Sequence, residues 1–346
     1  MENYQNILIV RTDRIGDVVL TTPSIVALRR AYPRARVSLL IAPQTYDIVD
    51  GNPYVDEVII DDRNGEHKGF WGFMKLIRVL RRKKFDLAVI FHTKKHTNLA
   101  CFLAGIPQRI GYRNEKLGFL LTKGIKDARS QGTKHEAEYC LDVLRFMGID
   151  TDIADSAKIV LPVKREPEEW AQKFLDQNKI RLTDRLVAVH AGASCISRRW
   201  SPGNFAEVIK GLRTKHAVKI ILIGSGETES ISKNIAAMTG SPVLDVTGRI
   251  SISQLIGLLK KCCLLISNDS GPVHLAVGVG TPVISIFSRN QKGINPERWK
   301  PLGRRDIVLH KDVGCKICRA HKCTIDFQCL KAISVNDVLA AADSLL

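Results

Sequence analysis

The stretch Cys263–Phe287, CLLISNDSGPVHLAVGVGTPVISIF, decides the fold. Leu264, Leu265 and Ile266 form an apolar run of the kind buried on both faces of a parallel sheet. Asn268, Asp269, Ser270 and Gly271 make a sharp turn. Pro272 suits the first position of a helix, where its missing N–H costs nothing. Gly278 and Gly280 can end that helix, and Thr281–Phe287 resumes an apolar strand. Strand, tight loop, helix and strand compose one βαβ unit. Amides at the helix start, beside a Gly271 that has no side chain, suit a phosphate or diphosphate.

Working outward, the same alternation fills the chain. Strands are predicted at 6–11, 36–42, 57–60, 86–91 and 109–112, with helices at 18–32, 70–84, 95–104 and 134–147. A polar, proline-bearing segment near 150–165 reads as a linker. A second series follows. Its strands are predicted at 186–190, 219–223, 243–245, 263–267 and 282–287. Its helices are predicted near 167–177, 203–215, 227–238, 251–260 and 272–278, with a last one over 334–346 capped by Ser334. The expectation is an α/β protein of two facing Rossmann-like domains with a cleft between them.

With 346 residues, 45% hydrophobic and 25% charged, the chain is long enough for two cores and ordinary for a soluble globular protein. No apolar run has the length of a membrane span, and MENYQNILIV enters a strand without a basic leader, so a cytoplasmic protein is expected. The net charge is +17, carried by both halves: 25 Lys/Arg against 19 Asp/Glu up to residue 160, and 27 against 16 beyond it. Such excess favours acidic partners such as nucleotides, phosphorylated glycans or an anionic membrane. Nucleic acid is an acidic partner too, but no recognition motif for it is present, and none is expected to bind. The absence of G-x-G-x-x-G argues against a dinucleotide-dependent hydride transfer.

The chemistry-bearing residues sit where predicted strands end. After the first strand, Arg11-Thr12-Asp13-Arg14-Ile15-Gly16-Asp17 places two carboxylates at a strand's carboxyl end. Gly16 permits a tight turn that aims Asp17 outward, where it either takes a proton from an attacking hydroxyl or caps the following helix. In the second half, His190-Ala191-Gly192-Ala193-Ser194 is a loop of small residues, and Arg198, Arg199 and Trp200 follow. Either arginine is able to grip phosphate oxygens or simply to lie solvated on the surface. Gly224-Ser225-Gly226-Glu227-Thr228-Glu229 and Asp245-Val246-Thr247-Gly248 end two further strands. Convergence of four such loops on one rim is stronger evidence than any one of them. Asp269 would repel a diphosphate, so it either accepts from sugar hydroxyls, orients a cation or fixes its own turn. His274, within the short helix, reads alone as a structural histidine.

Two other features stand apart. Cys315, Cys318, Cys323 and Cys329 give C-x2-C-x4-C-x5-C with His321 inside, a set for a structural zinc, for free thiols or for a labile disulfide. The stretch 70–84, FWGFMKLIRVLRRKK, combines aromatics with cations, as in a helix lying on an anionic membrane or one packed on a core with a basic exposed end.

Together these residues resemble glycosyltransferase family 9, the lipopolysaccharide heptosyltransferases. The likeness runs through ILIVRTDRIGDVVLTTPSIVALRRAYP, HAGASCISRRWSPGNFAEVI, IGSGETE and LDVTGRISISQLIGLLKKCCLLISNDSGPVHLAVGVGTPVISIF, in order and spacing. It implies a GT-B fold. Residues 1–158 would bind acceptor, 159–330 would bind the nucleotide-sugar donor, and 331–346 would be a helix crossing back to the first domain. It implies inverting, metal-independent transfer of heptose from ADP-heptose to an anionic, lipid A-linked core acceptor at the inner membrane face. Asp17 matches the family's general base, and Asp13, Arg14 and Gly16 would lie by the acceptor. Arg198 stands where heptosyltransferases carry a phosphate-binding lysine, keeping the charge and changing the geometry. Asp269, Ser270, Gly271, Pro272 and His274 match the D-[ST]-G-x-x-H motif. Ser194, Gly224, Glu229, Thr247 and Gly248 would complete the donor site. The cysteine cluster matches only some members. The other readings are a family 9 transferase for another nucleotide sugar, or a non-catalytic nucleotide-sugar or glycan-binding protein, which the presence of both Asp17 and Asp269 argues against.

Overall fold

The computed structural model describes residues 3–151, 159–315, 318 and 322–346. Residues 152–158 of the predicted linker and His321 lie outside the described residues. The chain divides into two compact units, Met1–Pro162 and Val163–Leu346, where the sequence placed the boundary at 158/159.

The first unit holds one six-stranded sheet, all parallel. In chain order its strands are β1 (Asn6–Arg11), β2 (Arg36–Ile41), β3 (Glu57–Ile60), β4 (Leu87–Ile90), β5 (Gln108–Arg113) and β6 (Lys123–Lys126). They lie in the order β3-β2-β1-β4-β5-β6. Ile7, Leu8, Ile9 and Val10 are wholly buried, because helices cover both faces of a parallel sheet. One face packs Leu8, Val10, Ala88 and Ile90 against Leu76, Ile77 and Leu80 of the helix Gly69–Arg82. That helix therefore has a core-packed face. Its first residues point the other way: Phe70 and Trp71 are 68% and 83% exposed and touch edge to face.

The second unit repeats the plan with β7 (Leu186–His190), β8 (Lys219–Leu222), β9 (Leu244–Asp245), β10 (Leu264–Asn268), β11 (Val283–Phe287) and β12 (Ile307–His310). Their order is β12-β11-β10-β7-β8-β9, again all parallel. Counted from its own first strand, this is the same winding as in the first unit. In each sheet the order reverses beside the unit's first strand, between β1 and β4 and between β7 and β10. That reversal is where doubly wound sheets open a crevice at the strands' carboxyl ends.

Residues 331–346, expected as a separate crossing segment, group with the second unit. The helix Val335–Leu345 packs on the helix Pro202–His216 and on β11 and β12, burying Val338, Ala341 and Ala342 in that unit's core. Its start is the expected cap: Ser334 Oγ accepts from the Asp337 amide at 3.1 Å, and the Asp337 carboxylate accepts in return from the Ser334 amide at 2.8 Å. Two strands escaped the sequence reading. β6 and β12 are short edge strands, and the two exposed lysines of KGIK are what an unpaired sheet edge uses to deter partners. Among the described residues no helix is long and apolar enough to cross a membrane.

Ile266 is fully buried in the central strand of the second unit. Ile266→Ala is expected to lower that unit's unfolding free energy by about 2–5 kcal/mol in a urea titration, the range for a core cavity.

Candidate functional site

In the first unit the helix after β1 begins at Ile15, three residues earlier than the sequence suggested, with Arg14 as its cap residue. Asp17 therefore sits inside the first turn, so the capping role left open for it is not the one it plays. Its Oδ1 accepts from Arg11 Nη2 at 2.7 Å. Arg11 itself, the last residue of β1, is only 1% exposed. The same Nη2 donates to Glu136 Oε1 at 2.8 Å, and Arg11 Nε lies 3.0 Å from Asp13 Oδ1, off the hydrogen-bonding direction. One guanidinium thus faces three carboxylates. Burial, with repulsion from Asp17 and Glu136, pushes Asp13 up to about 7 against the pull of Arg11. His92, at the end of β4, approaches Asp13 to 4.0 Å and shares a 3.1 Å hydrogen bond with Thr12. Burial and the cations Lys94, Arg11, Arg63 and Arg129 push His92 down to about 2, so its approach to Asp13 is that of a neutral imidazole. Arg14 is exposed and Gly16 is buried in the helix turn.

A second feature of this unit is a hollow of about 330 Å³ lined by Arg63, Lys94, Lys95, His96 and Lys116. Asp61, buried beneath, ties its floor together: Arg63 Nε donates to it at 3.1 Å, His96 lies 3.0 Å away and His67 3.5 Å away. The result is a concave cationic surface built from the loops after β3, β4 and β5.

In the second unit the four strand-end loops do converge. A Cβ on Gly224 would stand 2.5 Å from Thr228 Oγ1, so this position admits no side chain. Gly248 has a φ of +71° and donates to Gly224 O at 2.9 Å. Thr247 Oγ1 and Ser232 Oγ share a 2.7 Å hydrogen bond. His190, at the end of β7, is bound through Nδ1 to Ser270 Oγ at 2.9 Å and Ser267 Oγ at 3.2 Å, which fixes the turn after β10 to the strand beside it. Burial pushes His190 down to about 4.

Asp269 lies between two arginines. Arg198 Nη1 donates to its backbone oxygen at 3.2 Å and approaches Oδ2 at 3.4 Å, while Arg289 Nη2 stands 3.8 Å from the same Oδ2. Burial pushes the Asp269 carboxyl up, against the pull of both arginines. Arg198 also donates to Ser194 Oγ at 3.1 Å and to Cys195 Sγ at 3.4 Å. Arg199 points elsewhere, to Ala193 O. Asn268 holds this loop down: its Oδ1 accepts from the Trp200 amide at 3.1 Å and its Nδ2 donates to Ala191 O at 2.7 Å. The helix Gly271–Val279 starts with Ser270 as cap residue and ends at Gly280 in the left-handed region, φ +85°. Its start is poorer in amides than the sequence suggested. Pro272 has none, and the Val273 amide donates to Ser270 O, so of the first three residues only Gly271 has one to present. His274 is buried in this helix. Glu229 lies 3.0 Å from Lys233 one turn along its own helix.

Arg289 is a member of the charged cluster at Asp269 that the sequence alone does not single out; its one signal is a cation two positions beyond an apolar strand. Arg11 and Glu136 were missed as well, though a charge closing the apolar strand NILIVR was a cue. Cys315, Cys318, Cys323 and Cys329 line a single cavity of about 380 Å³ together with Ser197, Arg289 and His310. Among the described residues no group of three or more His, Cys, Asp or Glu is drawn close enough around one point to hold a metal ion.

Comparison with known proteins places these features. The model of glycosyltransferase family 9 (heptosyltransferase) matches residues 73–328. Lipopolysaccharide heptosyltransferase 3 of Escherichia coli K12 is 24% identical over 339 residues, covering 96% of this chain and 95% of its own. The crystal structure of a family 9 glycosyltransferase from Veillonella parvula superposes with a TM-score of 0.89 at 25% identity, covering 100% of this chain and 98% of its own. That of E. coli heptosyltransferase WaaC with ADP-2-deoxy-2-fluoro heptose gives 0.73 at 17%, covering 98% and 99%. The fold is thus the GT-B pair of Rossmann-like units.

The low pKa of His190 makes a stability prediction. The unfolded chain protonates this imidazole near its ordinary 6.5, while the folded chain resists until about 4. Its contribution is therefore complete above 6.5 and lost as pH falls through that window. His190→Gln is expected to flatten this loss by up to a few kcal/mol, read from the difference between wild-type and variant urea unfolding at pH 7 and pH 4.5.

Proposed function

Since this chain belongs to glycosyltransferase family 9 and is a heptosyltransferase-like glycosyltransferase, we propose that it transfers heptose from ADP-heptose, with inversion and without a metal, to an anionic, lipid A-linked lipopolysaccharide core acceptor. The observation that carries this reading is the placement of opposite charges at the two sheet reversals: a carboxylate held by Arg11 in the first unit, and Arg198 and Arg289 around Asp269 in the second.

In this mechanism the second unit binds the donor. Arg198, Arg289 and the Gly271 amide take the diphosphate, with Ser270 and Pro272 shaping the turn. The two arginines, held on Asp269 in the absence of an anion, have donors left for phosphate oxygens. Asp269 then faces the sugar side, accepting from hydroxyls. Ser194, Gly224, Thr247 and Gly248 shape the strand-end loops on which the nucleotide rests. Positive charge fixed in advance stabilises the departing ADP, the work a metal does in other transferases. In the first unit Asp17 takes the proton of the acceptor hydroxyl as it attacks the anomeric carbon from the face opposite the leaving group. The bond from carbon to the diphosphate oxygen breaks with its electron pair staying on ADP. Asp13, Arg14 and Gly16 border the acceptor.

An anionic acceptor fits the cationic hollow over Asp61. Peripheral binding at the cytoplasmic face of the membrane is part of the reading, supported by exposed Phe70 and Trp71 on a helix ending in basic residues. A structural zinc at Cys315, Cys318, Cys323 and Cys329 stands outside the transfer step; it would have to draw the four thiols together, and zinc content of the purified protein decides it.

The deciding assay supplies ADP-, GDP- and UDP-sugars with deacylated core acceptors and follows nucleotide release. ADP-heptose is expected to be turned over at an unchanged rate in EDTA. Asp17→Ala is expected to lower kcat by at least about 10²-fold and leave ADP affinity intact. Release of GDP or UDP instead points to another donor, and ADP binding with no turnover on any acceptor points to a non-catalytic binding protein.

A further inference from the structure

The proposed base hangs on a chain of buried charges that take no part in the bond making and breaking of the transfer step. Arg11 Nη2 is shared between two carboxylates, Asp17 Oδ1 at 2.7 Å and Glu136 Oε1 at 2.8 Å. Glu136 is 1% exposed and opens the helix Glu136–Phe146, which packs on the helix that carries Asp17. A second link joins the same two helices. Thr21 Oγ1 donates to the Asp17 backbone oxygen at 2.8 Å and lies 3.7 Å from Cys140 Sγ, which is also 3.7 Å from Arg11 Nη1. Asp17 is thus gripped at one carboxylate oxygen and at its main chain. Its Oδ2 has no partner among the described residues.

We propose that Arg11 and Glu136 are positioning residues for Asp17: Glu136 anchors the guanidinium, and the guanidinium fixes Oδ1 so that Oδ2 is the oxygen presented to the acceptor hydroxyl. This rests on the reading of Asp17 as the base. The physical need is plain. A lone Asp side chain on a first helical turn samples several rotamers, and a base displaced by an ångström loses on the order of 10²-fold in rate. Arg is suited to the task because its planar fork holds two carboxylates in one plane, which a lysine ammonium does not. Burial of Arg11 without anions on all sides would be costly, so Glu136 has a structural share as well. The two shares separate in the isosteric variant Glu136→Gln. There Arg11 keeps Asp13 and Asp17 as counter-charges, so no bare cation is left inside.

The test compares Glu136→Gln, Glu136→Asp and Asp17→Ala, each as the full-length chain, by kcat, KM for both substrates, ADP affinity and urea unfolding. For Glu136→Gln a kcat about 10²-fold lower is expected, with KM and ADP affinity within twofold of wild type. Glu136→Asp, which keeps the charge but withdraws it by one methylene, is expected to lose less, and it supplies the answer if Glu136→Gln fails to fold. Unchanged kcat in a folded Glu136→Gln, beside an inactive Asp17→Ala, overturns the positioning role and leaves Asp17 as base. Full activity of Asp17→Ala overturns the reading of the base itself. A loss of kcat in Glu136→Gln that tracks a loss of stability, with Glu136→Asp no better, reduces Glu136 to a structural residue.

Discussion

Parallel strands deliver all their carboxyl ends to one edge, and this constraint organises everything else in the molecule. The backbone groups at that edge leave the ladder together, and the helices that follow begin there with unsatisfied amides. Only at the reversal of strand order do neighbouring connections depart to opposite faces, opening space between them. Each unit uses that space for its charges. Arg11 and the Asp17 turn leave β1 beside β4. His190 and the Asp269 turn leave β7 and β10 side by side. One winding, used twice, thus yields a carboxylate site in one unit and a guanidinium site in the other. What differs is the side chains on the same scaffold, which is the sense in which function is grafted on fold.

The alternation of apolar runs with amphipathic segments was legible because a parallel strand, buried on both faces, has nothing but apolar residues to show. Ile7–Val10 and Leu264–Ile266 are wholly buried and were plain in the sequence. β6 and β12 were not: the lysines of KGIK break the apolar pattern of β6, and IVLH, β12, is a four-residue edge strand that is only partly buried. The start of the helix carrying Asp17 was placed too late for a related reason. Arg14 caps it without a side-chain hydrogen bond, so no Ser, Thr, Asp or Asn marked the spot. At the candidate site, Asp17, Ser270 and Gly271 stand out in the sequence by their turn chemistry. Arg289 and Glu136 do not, because their partners are far away in sequence: Asp269 reaches Arg289 from the neighbouring strand's end, and Glu136 meets Arg11 across 125 positions.

At position 198 the identity of the cation matters. A lysine in the place of Arg198 would bring one point of charge and three donors to Asp269. Arg198 instead spreads its guanidinium over four atoms: the Asp269 backbone oxygen, Asp269 Oδ2, Ser194 Oγ and Cys195 Sγ. That reach ties the loop after β7 to the turn after β10 while the charge stays in place. It also changes what a second cation can do. Two ammonium groups on one buried carboxylate would each seek full hydration, whereas delocalised guanidinium groups are weakly hydrated and tolerate burial. Arg289 is itself only 7% exposed, and burial together with Arg198 depresses its affinity for its proton without threatening a group that starts so high. Arg198 and Arg289 together carry more fixed positive charge to this turn than a single lysine in the place of Arg198 could.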